Sequence, residues 1–336
     1  VRNGEDLREI AILYRSNAQS RALETELTRR GVKYTVYGGL RFFDRADIKN
    51  ALAYLRLAEN TADDSAFMRV VNLPARGIGA KTVENLIDLA RDNQISLFEA
   101  TQLLSGAAAN KVRVFTDIIN DIRSKRFSLP LTALINYTVQ RSGLKALYDA
   151  DENGAERLEN LEELTSSAAA FLSQEGVEDD SKENVDNLSP LTLFLSQATL
   201  EAGDNQAKAG EEAVQLMTIH ASKGLEFNNV FITGLENGLF PHDKCLAEPK
   251  ELQEERRLMY VAITRARKKL YLTYAAQRLL HGMPRYNVKS SFLDELPADS
   301  LKWLTPKEDS DSYSTYRSGI SRGGYNGSNN TKNSWS

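Results

Sequence analysis

Three short segments concentrate side chains that could do chemistry. The first is Thr218-Ile219-His220-Ala221-Ser222-Lys223-Gly224-Leu225-Glu226-Phe227, set between two apolar runs. His220, Lys223 and Glu226 exceed what packing needs, and Gly224 would let a backbone approach a ligand closely. Such a loop is expected at a strand end of an α/β sheet, where ligands usually bind. The second is Glu254-Glu255-Arg256-Arg257-Leu258-Met259-Tyr260-Val261-Ala262-Ile263-Thr264-Arg265-Ala266. Leu258, Val261 and Ala262 would share one helical face, and Arg265 follows at the C-terminal end. The plainer reading pairs these arginines with Glu254 and Glu255 on the helix surface.

The third segment is Leu73-Pro74-Ala75-Arg76-Gly77-Ile78-Gly79-Ala80-Lys81-Thr82. Two glycines one residue apart, ahead of a helix starting near Thr82, would expose backbone N–H groups at a positive helix end. Arg76 and Lys81 flank them, so a phosphate fits. Gly-x-Gly alone reads equally as a tight interhelical turn.

The elements around these segments follow α/β grammar at both ends of the chain. Ile10 to Tyr14, Val32 to Tyr37, Val214 to Ile219, Val230 to Leu235 and Lys269 to Tyr274 read as strands; Ser20 to Arg30 and Glu251 to Arg267 read as helices. From Asp44 to Leu200 the periodicity is almost wholly helical, as in Val83, Leu86, Ile87 and Ala90. The expected architecture is an α/β domain with a parallel sheet, carrying a large, mainly α-helical insertion. Loops are expected at 175–187 and 203–210. The last 29 residues hold eight Ser, four Gly and four Asn, and are assigned no fold. Tyr313, Tyr316, Tyr325 and the Arg322-Gly323-Gly324 step could give weak base stacking there.

Composition narrows the classes. A length of 336 residues suggests two domains at about 150 residues each. One cysteine, Cys245, excludes an internal disulfide, and three scattered histidines argue against a His-built metal centre. No stretch approaches 18 consecutive apolar residues and the first residues do not form a signal peptide, so no membrane role and a cytoplasmic setting are expected. The net charge of −4 is unevenly spread: residues 149–186 hold thirteen acids against Arg157 and Lys182, a local −11 that leaves +7 elsewhere. Arg15 to Arg56 alone carries nine Lys or Arg and four acids, enough for a footprint on a polyanion, although charge alone favours a solvated helix face.

The first two segments resemble motifs V and VI of superfamily 1 DNA helicases, and the chain is similar to the UvrD/PcrA/Rep group. Ala11-Ile12-Leu13-Tyr14-Arg15-Ser16-Asn17-Ala18-Gln19-Ser20-Arg21, Tyr37-Gly38-Gly39-Leu40-Arg41-Phe42-Phe43 and Arg76-Gly77-Ile78-Gly79 support the match, in family order from about Glu9 to Leu296. In that group ATP is clamped between two RecA-like domains, the first supplying the Gly-Lys-Thr loop and the Asp-Glu pair that holds Mg2+. This sequence has no Gly-Lys dipeptide, and its two Asp-Glu pairs, Asp151-Glu152 and Asp294-Glu295, end no buried strand. The resemblance therefore implies the C-terminal half of a helicase: RecA-like domain 2A at 1–37 and 211–307, inserted domain 2B at 38–210, and a tail at 308–336. The family's motif IV, with a further ATP-contacting arginine, is expected upstream.

The resemblance also implies roles. Arg265 matches the arginine reaching the γ-phosphate, Glu226 a ribose acceptor, and Gly224 lies at the nucleotide. Arg15, Asn17, His220 and His242 match contacts to single-stranded DNA; Arg76, Gly77, Ile78, Gly79, Lys81 and Thr82 match the loop that meets duplex DNA. The implied activity is ATP-driven 3′ to 5′ translocation and unwinding in repair. ATP, Mg2+, the N-terminal RecA-like domains and repair proteins are the implied cofactors and partners, and the chain alone is expected to be inactive. One departure is Ala262, where relatives often have glycine. Two other classes stay open: a non-catalytic DNA-binding module derived from a helicase, and a helix-hairpin-helix repair enzyme suggested by Gly77 to Gly79.

Overall fold

Buried backbone groups must find partners, so the short apolar runs pair into a sheet. The computed structural model describes residues 5–152, 154–175, 189–203, 211–280 and 283–305. Its strands are β1 (Ile10–Tyr14), β2 (Tyr34–Val36), β3 (Val214–Thr218), β4 (Phe227–Ile232) and β5 (Ala266–Leu272). They pair in the order β2-β3-β1-β4-β5, every pair parallel. Central β1 sets Leu13 opposite Met217 on one side and Ile232 on the other. Because all five strands run the same way, all end at one edge and start at the other. These C-terminal and N-terminal edges lie roughly 15–20 Å apart for strands of five or six residues.

α1 (Ser20–Arg29) connects β1 to β2. Between β2 and β3 the chain forms α2 (Ala46–Glu59), α3 (Asp64–Val70), α4 (Ala80–Asn93), α5 (Leu97–Ala100), α6 (Gly106–Lys125), α7 (Leu131–Arg141), α8 (Leu144–Asp149), α9 (Gly154–Glu175) and α10 (Pro190–Gly203). These helices share a core that includes Tyr54, Phe67, Phe115, Ile135 and Phe194. Phe115 is its hub, edge-on to Phe67 at 5.5 Å and tilted against Tyr54 at 6.4 Å. A separate cluster, Tyr14, Tyr34, Val36, Val214 and Leu216, seals one face of the sheet. A buried polar chain crosses between the two: Arg45 donates to Asn160 at 2.8 Å and Ser20 at 2.7 Å, and Asn160 donates to Asp47 at 2.8 Å.

After β4 come α11 (Asp243–Leu246) and the crossover helix α12 (Pro249–Ile263), which returns the chain to the start of β5. Beyond β5, β6 (Gln277–Leu280) and β7 (Met283–Tyr286) form an antiparallel ribbon. These elements lie in one compact unit that ends at Leu293. A second unit begins at Asp294 and contains one 3-10 turn, Ala298–Ser300, among its described residues. No helix among the described residues is long and apolar enough to cross a membrane.

Several boundaries differ from the sequence expectation. β4 begins at Phe227 rather than Val230, β5 begins at Ala266 rather than Lys269, and the helix before it stops at Ile263 rather than Arg267. One pairing explains all three. Phe227 pairs with Ala266, and its N–H donates to the Arg265 carbonyl at 2.9 Å, which requires extended backbone where helix was expected. The last turn closes when the Thr264 N–H donates to Tyr260 at 3.1 Å and the Arg265 N–H to Ala262 at 3.2 Å. Of the expected loops and tail, 176–188, 204–210 and 306–336 lie outside the described residues, including Tyr313, Tyr316, Tyr325 and Arg322 to Gly324.

Candidate functional site

The decapeptide expected at one ligand-binding edge serves both. Its residues 219–226 carry the chain from the end of β3 to the start of β4, so His220 stands at the C-terminal edge and Glu226 at the N-terminal edge. Arg265, just ahead of β5, joins Glu226 there. Its guanidinium donates to the Leu225 carbonyl at 2.8 Å, the Val261 carbonyl at 3.0 Å and the Thr264 hydroxyl at 3.0 Å. Glu226 and Gly224 are exposed and Arg265 half-buried. Gly224 adopts φ +86°, and no atom lies within 4 Å of where a side chain would begin. The edge thus combines an oriented cation, an exposed carboxylate and an open stretch of backbone.

At the C-terminal edge the loop after β1 is held by Gln19, whose side-chain oxygen accepts from the N–H groups of Arg15 and Ser16, both at 2.9 Å. The Arg15 side chain is not free. Its Nε and Nη2 grip Glu255 of α12 at 2.8 and 2.7 Å, and Glu255 also accepts from the His242 N–H at 3.3 Å. A buried carboxylate therefore matches the Arg15 charge. Ser16, Asn17, Arg21 and His242 face the acidic side of α9. Asn17 donates to Glu156, Ser16 to Glu159 at 2.6 Å, and Arg21 pairs with Glu163. The His242 ring meets Glu159 at 3.2 Å.

These contacts set the charge states. The hydrogen bond to Glu159 raises His242 above the ordinary histidine value, while its burial and the charges of Arg15 and Lys244 oppose the rise. Burial pushes the Glu159 carboxyl up, but hydrogen bonds from His242 and Ser16 outweigh it and hold the group below its ordinary value. His220 goes the other way: burial, then the Arg15 charge, lowers it and favours a neutral ring.

The Gly-Ile-Gly loop occupies the turn before α4. Its residues divide. Arg76 points inward, donating to Tyr54 at 2.7 Å, Ser142 at 2.7 Å and Pro74 at 3.0 Å. Ile78 is buried, and both the Arg76 and Ile78 N–H groups donate to Asn72, at 2.7 and 3.1 Å. These two residues hold the loop's shape. Gly77, at φ +71°, has its carbonyl bound by Lys111 at 3.2 Å. Gly79 caps α4 with open space around it, Lys81 is exposed and Thr82 half-buried. Gly79 and Lys81 are the members open to a ligand.

Sequence reasoning missed Glu255, Gln19 and the α9 carboxylates. Glu255 could have been found. The buried face of α12 is Glu255, Met259 and Ala262, not the expected Leu258, Val261 and Ala262, so an acid sits on an apolar spacing and must have a partner. The expected surface pairing is present between Glu254 and Arg257.

Comparison with known proteins gives the family. The model of the UvrD-like helicase C-terminal domain matches residues 1–277. The chain is 46% identical to DNA helicase II of Escherichia coli K12 over 89% of its length, covering 42% of that protein. It is 43% identical to DNA helicase II of Haemophilus influenzae, over 90% of the chain and 42% of the relative. It is 40% identical to the ATP-dependent DNA helicase PcrA of Bacillus subtilis, over 90% of the chain and 41% of the relative. It thus spans less than half the length of these relatives.

Proposed function

The chain belongs to the UvrD-like helicase C-terminal domain family, and from that premise we propose that it is the C-terminal half of an ATP-dependent DNA helicase. Residues 1–37 and 211–307 form the second RecA-like domain and 38–210 the inserted domain. The separate cores of the sheet and of the helices support this division. Arg265 meets the γ-phosphate and stabilises charge spreading over its oxygens, and Glu226 accepts from the ribose. The phosphate loop and the Mg2+ ligands belong to the N-terminal half, against which this edge closes. Single-stranded DNA runs along the C-terminal edge past Arg15, Asn17, His220 and His242. Duplex DNA meets Gly79 and Lys81, with movement 3′ to 5′ and a role in repair.

One observation carries the reading. Two connections, residues 219–226 and α12, each run from the strand edge to the nucleotide edge. The first has His220 at one end and Glu226 at the other. α12 starts a few residues after His242, holds Arg15 through Glu255, and leads into Arg265. A change at the nucleotide edge therefore has a short rigid path to the strand. Closure around ATP favours one domain arrangement and hydrolysis releases it, which is movement along DNA.

The test is reconstitution with an N-terminal half. The joined protein should hydrolyse ATP faster when single-stranded DNA is added, and this chain alone should not turn ATP over. Strand-independent turnover, or none in the joined protein, would leave a DNA-binding module instead of a motor.

A further inference from the structure

We propose that Glu255 is a positioning residue that converts Arg15 from a free cation into an aimed donor on the strand edge; this rests on reading that edge as a single-strand track. The Glu255 side chain is 3% exposed and that of Arg15 is 24% exposed. Arg15 Nε lies 2.8 and 3.1 Å from the two Glu255 oxygens, and Nη2 lies 2.7 Å from Oε1. That side-on grip fixes the guanidinium plane and leaves Nη1 uncommitted among the described residues. The second Glu255 oxygen accepts from the His242 N–H at 3.3 Å. One buried carboxylate therefore sets the positions of two residues on the track.

The consequence is electrostatic. Binding that neutralises DNA phosphates releases counterions in proportion to the protein's unmatched positive charge, and this steepens the loss of affinity with salt. An arginine already matched by a carboxylate adds direction to the contact but little to that slope. A track built this way grips by geometry and slides without a deep charge trap. Glu255 also lies on α12, whose end leads into Arg265, so a shift of that helix re-aims Arg15.

The experiment titrates a fluorescent oligo-dT with this chain across roughly 50–200 mM salt and compares slopes of log affinity against log salt. Glu255→Gln should steepen the slope by about 0.7, one unmatched charge on a single strand. Arg15→Gln with Glu255→Gln replaces an ion pair by a neutral pair and should restore the wild-type slope at lower affinity. This double variant strands no charge and keeps the test decisive if Glu255→Gln alone does not fold. An unchanged slope in Glu255→Gln, or a double variant shallower than wild type by about 0.7, shows that Arg15 already acts as a free cation and overturns the proposal. Wild-type chain that fails to bind oligo-dT even at the lowest salt overturns the track reading itself, an outcome distinct from either slope.

Discussion

His242 shows how one residue reports the state of the strand edge. Its hydrogen bond to Glu159 raises its folded value above the ordinary 6.5, so the charged pair contributes fully below about pH 6.5 and fades as pH rises through the raised value. Both side chains are partly exposed, which limits the contribution to about 1 kcal/mol or less. Thermal melts should therefore show wild type more stable than His242→Gln at about pH 6, with the gap closing by about pH 8. A gap that widens with pH contradicts the pairing. At this scale Arg265 and Glu226 stood out by residue type, and the structure brings them to one edge of the sheet, where Arg265 donates to the Leu225 carbonyl. The Arg15 partner was not legible, since Glu255 lies 240 positions away and only folding brings the two together.

α12 and the turn before α4 carry the same lesson for elements. Sequence periodicity marked α12 but ran it on to Arg267, because helical propensity does not register that Phe227 needs an extended partner at Ala266. The Gly-Ile-Gly turn was visible as a pair of glycines, yet the structure gives them different tasks. Gly77 holds φ +71°, so Gly77→Ala should cost about 1–2 kcal/mol of stability. Gly79 has ordinary backbone angles and open space, so Gly79→Ala should leave the melting temperature nearly unchanged while weakening duplex binding by obstructing backbone approach. Electrophoretic binding with blunt duplex and single strand separates the two. Equal loss on both substrates, or no loss on duplex, removes Gly79 from the duplex contact. A further element-scale test is Asn160→Ala, which strands buried Arg45 and Asp47 and should cost about 2–4 kcal/mol in urea unfolding; a loss below 1 kcal/mol would mean that water replaces the amide.

For the molecule as a whole, the parallel sheet and the run of helices were legible from apolar patterning, whereas the strand order was not. β3 returns between β1 and β2 although Val36 and Val214 are separated by the whole insertion, a long-range pairing that local sequence does not encode. That topology puts Glu226 and Arg265 on one edge of the sheet and Arg15 and His220 on the opposite edge, the separation that the proposed motor requires. The most direct measurement is steady-state ATP hydrolysis, with single-stranded DNA, by Arg265→Ala and Arg265→Lys in the protein completed by its N-terminal half. Turnover should fall by about 10³ or more in both variants, since an ammonium lacks the planar donor set, while KM for ATP changes little. Turnover within a few-fold of wild type would contradict the assignment of Arg265 to the γ-phosphate and, with it, the coupling of the two edges.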